Sequence, residues 1–249
     1  MLPEILIIDN TLSGAYHRAL VALHDRGEIT DCADWGCKQK EISATIVIQD
    51  PLKEPMISKC FIGGWRELEQ YSLEMLDGIL DFEVEKGNWT YTYHARMAKH
   101  IDWVVEELKR NPSSRRACIS IRTDEDEGSD DPACLQHIQF MIREDKLNMK
   151  VLFRSNDGCK AAFMNMFALI CLQERIANKL GVGVGTYTHR ANSFHCYERD
   201  FGLLDGYYKR IIESDGYGMT YHYKGEWDEL MEDSRPEIME EVKRLHENS

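Results

Sequence analysis

Between Ile138 and Gly181 the apolar residues change period, and that change limits the fold more than any other feature of the chain. Ile138, Phe140 and Ile142 alternate with Gln139, Met141 and Arg143, and Met149, Val151 and Phe153 alternate in the same way. Alternation puts every second side chain on one face, so both runs read as half-buried strands, joined as a hairpin near Glu144-Asp145-Lys146. Phe163, Met166, Phe167, Ile170 and Ile176 then recur at helical spacing and mark a long buried helix ending at Gly181. Val184 to His189 is extended again. Strands with one apolar face and a helix that must be covered can be satisfied only by layers of both kinds, an α/β chain.

The flanking sequence repeats the alternation of element types. Ile5 to Ile8 reads as a strand, and Leu12, Ala15, Tyr16, Ala19, Leu20 and Leu23 as a core-facing helix stopped by Gly27. Asp31 to Lys40 reads as a loop, Ile42 to Ile48 as a strand stopped by Pro51, and Leu68, Tyr71, Met75, Leu76 and Ile79 as a helix after Gly63-Gly64. Asn88 to Arg96, rich in Tyr, Trp and Thr, reads as extended; Met97 to Leu108 as a helix; Ala117 to Ile121 as a strand; and the acidic run Thr123 to Asp131 as a solvated loop. Phe201, Leu204, Tyr208 and Ile211 give a further helix. The acidic tail, about residues 226–249, gives a surface helix around Ile238, Val242 and Leu245. No repeat or linker interrupts the pattern, so one domain over residues 1–249 is expected.

Composition narrows the function classes. A net charge of −13 speaks against binding a nucleic-acid polymer, which needs a basic face, yet leaves room for a nucleotide held by a few arginines. No apolar stretch is long enough for a membrane span, and Met1 to Asn10 is too short for a signal peptide, so a cytoplasmic protein is expected. The eight cysteines form no CxxC pair and no zinc-ligand spacing; neither a disulfide scaffold nor a metal is expected.

Most of those cysteines suit burial as small apolar groups, but Cys134 opens a strand just after a turn containing Pro132. A nucleophilic cysteine needs its thiolate stabilised by a nearby cation, and Arg154 reaches it if the two alternating strands pair. Asn165, near the start of the long helix, carries a side-chain amide that offers a donor and an acceptor together.

Pro132-x-Cys134, Gln139-Phe140, Arg154-Ser155-x-Asp157, Asn165 and His195-x-Tyr197, in this order and spacing, resemble the thymidylate synthase family. The resemblance covers most of the chain and is strongest from Arg115 to Asp200. It implies an α/β fold of the α+β type: one domain with a large mixed β-sheet flanked by helices, the sheet face forming a homodimer interface. It also implies that Cys134 adds to C6 of dUMP, so that C5 becomes nucleophilic toward 5,10-methylenetetrahydrofolate, or toward a tetrahydromethanopterin analogue. Arg154 and Ser155 are then implied as phosphate ligands, with Arg115 and Arg116 reaching the phosphate of the partner subunit. Asn165 is implied on the base, His195 and Tyr197 on the sugar 3′-hydroxyl, and Asp157 at the pterin ring. Glu67 is implied as the residue ordering water near O4, Tyr93 as the residue near the C5 proton, and Lys38 as a phosphate contact on a mobile loop.

The sequence also departs from the family pattern. His94 stands where a glycine is usual, Leu135 where many bacterial members have histidine, and Ala161 to Met164 where glycine and proline are usual. Such changes resemble archaeal or phage branches. The polar segment Arg244 to Ser249 stands where typical synthases carry an apolar closing segment. Because closure excludes water, a pyrimidine-nucleotide 5-hydroxymethylase acting on dUMP or on a cytosine nucleotide stays open as an alternative; a catalytically inactive nucleotide-binding relative is a second, separate one.

Overall fold

Glu4–Asp9 forms strand β1, and Thr11 caps the helix that follows, its hydroxyl accepting from the N–H of Gly14 at 3.0 Å. The structure is a computed structural model in which residues 1–214 and 217–248 are described. Helix α1 (Leu12–Arg26) leads into β2 (Glu28–Cys32) and β3 (Cys37–Ile48), then the short β4 (Ile57–Ser58), α2 (Trp65–Asp77), α3 (Phe82–Glu85) and α4 (Tyr93–Arg110). Strands β5 (Cys118–Ser120), β6 (Leu135–Arg143) and β7 (Lys146–Asp157) follow, then α5 (Ala162–Leu180) and β8 (Gly183–Tyr197). Helix α6 (Phe201–Glu213), the short β9 (Thr220–Tyr221) and α7 (Asp228–Asn248) complete the order.

The main sheet runs β1-β3-β8-β7-β6-β5, with β2 sharing the β1 edge of β3. It is mixed: β1 with β3 and β7 with β8 are parallel, and the remaining pairs are antiparallel. Glu144 and Asp145 both have positive φ, 52° and 55°, as a two-residue hairpin between β6 and β7 requires. Along β7 the residues Leu147, Met149, Val151 and Phe153 are buried, while the intervening side chains are half-buried or exposed. The buried face packs under α1 and α5, whose apolar sides share one core with it. The other face carries Thr45, Val47, Gln49, Met141, Asn148, Lys150, Thr186 and Thr188 around a shallow hollow.

Where the β7–β8 ladder slips, between Leu147 and Met149, side chains take over the backbone groups it abandons. The buried amide of Gln173 donates to the carbonyls of Leu147 at 2.7 Å and Gly185 at 3.1 Å, and Asn148 Oδ1 accepts from the N–H of Thr186 at 3.0 Å. This fastens α5 to both strands it connects.

Three segments differ from the sequence reading. Asp31 to Lys40 is not a loop: it is most of the β2–β3 hairpin, in which Asp31 faces Lys38 across a turn ending at Gly36, whose φ is 58°. Its polar residues lie on a sheet edge, so no apolar alternation marks it. From Tyr93 the segment Asn88 to Arg96 is helical, not extended, because Thr92 accepts from the N–H of Ala95 and starts α4 there. The acidic run is not uniformly solvated either. Asp126 is buried: its carboxylate accepts from Arg96 at 2.7 and 3.0 Å, from the N–H of Thr123 at 2.9 Å and from the N–H of Ala133 at 3.3 Å.

The acidic tail does form a helix, but one face of it is buried. Ile238 and Val242 pack on Leu80 and Phe82, while Arg66 pairs with Glu241 at 2.6 Å and Arg235 pairs with Glu69.

Burial alone works against the charge on Asp126, but Arg96 and the two N–H donors overcome it and hold the carboxyl at about 2. A depressed carboxyl pKa stabilises the fold fully above the unfolded value of about 4, and the contribution drains away as pH falls toward 2. Asp126→Asn is expected to cost roughly 2–3 kcal/mol, the range for hydrogen bonds to a charged group. In urea titrations the gap between the two proteins narrows as pH drops from 5 to 2. A gap that is constant with pH contradicts this.

Candidate active site

The parallel strands β7 and β8 end together, with Asp157 beside His195 in register, and α5 starts five residues beyond the end of β7. The strand ends therefore bring Arg154, Ser155, Asp157, His195 and Tyr197 to the region where α5 presents Asn165. A crevice at the carboxyl ends of parallel strands is where α/β sheets commonly bind ligands. Antiparallel β6 begins at the same level, so Cys134, just before it, joins the group.

Arg154 holds the turn before Cys134. Its Nε donates to the carbonyl of Ala133 at 3.2 Å and its Nη2 to that of Pro132 at 2.7 Å, while its backbone N–H donates to the carbonyl of Cys134 at 2.9 Å. Asp126 grips the N–H of Ala133 from the other side, so the turn is fastened at consecutive backbone groups. A β-bulge between Leu135 and His137 follows at once and redirects the strand. Leu135, in the place of the family histidine, is fully buried in the core, and its N–H donates to the hydroxyl of Tyr93 at 3.3 Å.

His94 has a positioning partner of its own. Its Nδ1 lies 2.6 Å from Asp81, and Thr92 donates to the same carboxylate. With residues on both sides of Tyr93 held by Asp81, the tyrosine projects toward Leu135. A Cβ at Gly78 would lie 2.1 Å from the His94 ring, and Gly78 has φ of 65°, so glycine is required there.

A cavity of about 520 Å³ opens beside this group, lined by Tyr71, Glu74, Met75, Leu80, Trp89, Tyr91, Tyr93 and Asp131 among others. Burial raises the pKa values of Tyr71 and Tyr93 far above the ordinary tyrosine range and takes Tyr91 to about 12; it also raises Glu74. The three tyrosines are therefore neutral at neutral pH, and Glu74 is harder to ionise than a free carboxyl. The Cys134 thiol behaves likewise: burial raises its pKa, Arg154 works against this, and Asp131 adds to it. Burial thus opposes the thiolate more than Arg154 favours it, while the guanidinium also donates to two carbonyls of the same turn.

His195 is buried and neutral. Burial lowers its pKa, although Asp157 and a hydrogen bond to the Ser193 carbonyl pull the other way. Its Nδ1 lies 3.4 Å from the Ser193 carbonyl and from the hydroxyls of Ser155 and Ser193, whereas its Nε2 is buried with no partner. Tyr197 packs edge-on to it at 4.7 Å. Asp157 accepts from the N–H groups of Cys159 and Lys160, both at 3.0 Å, and burial raises its pKa.

The remaining sequence candidates lie elsewhere. Glu67 is exposed, and its carboxylate accepts from the N–H of Gly64 at 2.8 Å as a cap for α2; it does not line the cavity. Lys38 is exposed on strand β3 and not on a flexible loop; its backbone N–H lies 3.3 Å from Glu198. Arg115 and Arg116 are exposed beside a separate hollow with Glu107, Arg110 and Ser114. In the sequence Tyr71 reads as a core residue, and Glu74 and Tyr91 carry no motif. The available signal was a polar-tipped ring on an apolar helix stripe with a carboxylate three residues on.

A family model described as thymidylate synthase matches residues 57–217. A protein of Methanocaldococcus jannaschii named "Putative thymidylate synthase" is 32% identical over 214 residues, covering 82% of this chain and 96% of its own. A thymidylate synthase of Bacillus licheniformis is 30% identical over 145 residues, 57% of this chain and 51% of its own. Among solved structures, the thermostable thymidylate synthase A of Bacillus subtilis superposes with a TM-score of 0.64 at 18% identity, covering 80% of this chain and 84% of that one, which is a likeness of fold.

A raised thiol pKa means less thiolate at pH 7 than in a free cysteine, and a cation that stabilises thiolate counteracts the rise. Iodoacetamide labelling of Cys134, followed by peptide mass spectrometry, is therefore expected to be slower than that of a free thiol at pH 7 and to climb at higher pH. Arg154→Gln is expected to slow it further. Rapid labelling at pH 6 in the intact protein contradicts this.

Proposed function

This chain belongs to the thymidylate synthase family, and on that premise we propose that it methylates dUMP at C5 with 5,10-methylenetetrahydrofolate as donor. The observation that carries the reading is the convergence of Cys134, Arg154, Asn165 and His195 on one end of the sheet. In this reading the Cys134 thiol loses its proton, Sγ bonds to C6 of the pyrimidine, and the C5=C6 π electrons move onto C5 and O4. The carbon that was inert becomes the nucleophile. Asn165 holds the base edge. Arg154 has Nη1 left for a phosphate oxygen after Nε and Nη2 are spent on the turn, and Ser155 stands next to it. The unpartnered Nε2 of His195 suits a donated sugar hydroxyl, and Tyr197 packs beside it.

The cavity beside Cys134 fits a flat heteroaromatic ring. Trp89, Tyr91 and Tyr93 provide apolar walls, and Glu74 and Asp131 can accept from ring N–H groups; Asp157 offers a further carboxylate at the strand end. When bound, the folate supplies the one-carbon unit and the hydride, and a tetrahydromethanopterin analogue would meet the same walls. Tyr93, whose hydroxyl accepts from the N–H of Leu135 next to Cys134, is in this reading the residue near the C5 proton.

Arg115 and Arg116 fit as ligands to the phosphate of a partner subunit, because they lie apart from this chain's own cluster. The open sheet face around Thr45, Met141 and Thr188 fits the surface that pairs in a homodimer.

Product analysis by mass spectrometry, with dUMP and dCMP offered in parallel and methylenetetrahydrofolate present, tests the reaction. Methylated dUMP with dihydrofolate formed is expected, and Cys134→Ser is expected to abolish it. A hydroxymethylated product would place the chain with the hydroxymethylases, and no product from either nucleotide, also when a tetrahydromethanopterin carrier replaces the folate, would favour an inactive relative. Light scattering is expected to give twice the chain mass of 28.9 kDa; a monomer at micromolar concentration would remove the dimer from this reading.

A further inference from the structure

Tyr71 of α2 donates its hydroxyl proton to Oδ1 of Asn165 on α5, across two helices that pack together. Asn165 is almost wholly buried, and Tyr71 lines the cavity next to it. The contact joins a residue that no motif contains to the one that the proposed function assigns to the pyrimidine, and the inference rests on that assignment.

An amide reads two patterns. Turned by half a revolution about its last bond, it exchanges donor and acceptor. Uracil presents an acceptor at O4 beside a donor at N3; cytosine presents a donor at N4 beside an acceptor at N3. An asparagine free to turn would accept either base. With Tyr71 donating to Oδ1, the turned amide would direct Nδ2–H₂ at the tyrosine and leave the tyrosine's proton without its acceptor in a buried site, which is costly. Burial also keeps Tyr71 protonated far beyond neutral pH, so the proton is always there to be donated.

We propose that Tyr71 is the positioning residue that fixes the Asn165 amide to read uracil and reject cytosine. Discrimination by one buried hydrogen bond arises mostly from the wrong partner being left with unpaired groups. Tyr71→Phe keeps the ring and its packing and removes only the donor.

The test is calorimetric binding of dUMP and of dCMP to the full chain, in the wild type, Tyr71→Phe, Asn165→Ala and the double variant. The wild type is expected to prefer dUMP, and Tyr71→Phe to lower the dUMP-to-dCMP ratio by roughly tenfold or more. In the Asn165→Ala background the same change is expected to leave the ratio unaltered, a coupling that a merely structural role would not produce. Tyr71→Met, which lacks both ring and donor, is expected to give the same loss and serves if the phenylalanine variant folds poorly. A ratio unchanged by Tyr71→Phe overturns this inference alone, as does a ratio that falls equally without the Asn165 amide. A wild type that binds neither nucleotide overturns the proposed function and this inference together.

Discussion

The site depends on the parallel pairing of β7 with β8. Parallel neighbours cannot be joined by a tight turn, so the chain must leave the end of one strand, cross the sheet and return. Here α5 makes that crossing. Its first turn, the end of β7 and the end of β8 therefore lie together as a matter of connectivity, and Ser155, Asn165 and His195 need no long loop to meet. Gln173 and Asn148 secure the far end of the pair, where the ladder slips and the backbone would otherwise lose partners. A helix held rigidly at its base can present Asn165 at its tip in one position.

Around this frame ionisation is disfavoured at several side chains. Burial acts on the Cys134 thiol, on Glu74 and on the hydroxyls of Tyr71 and Tyr93 in the same sense, disfavouring the charged form. The cation in contact with the turn, Arg154, spends two of its three nitrogens on backbone carbonyls. A raised pKa leaves Cys134 with less thiolate than a free cysteine, and oxidants attack thiolates.

Elements with strong periodicity were legible in the sequence: both alternating strands, α1, α5 and α6 lie where the pattern put them, and the resemblance to the family holds. What escaped were features set by partners remote in sequence. The β2–β3 hairpin is polar because it lies on an edge, so its strands left no apolar mark. Asp126 looked solvated within an acidic run, since nothing local tells of Arg96 thirty residues earlier. Tyr71 looked like one more core residue, because an apolar ring and a working hydroxyl are the same letter. Glu67 matches the family by order along the chain, and its carboxylate caps its own helix.

The packing of α7 carries a further consequence. Ile238 and Val242 rest on Leu80 and Phe82, and Leu80 is also part of the cavity wall. One residue thus has the C-terminal helix on one side and the ligand space on the other. Local unfolding and ligand occupancy are then linked quantities: a molecule that fills the cavity only while Leu80 is seated must also make α7 harder to detach, by RT ln(1 + [L]/Kd). The last helix of the chain thereby reports, through its own fraying, on the state of a pocket it does not line.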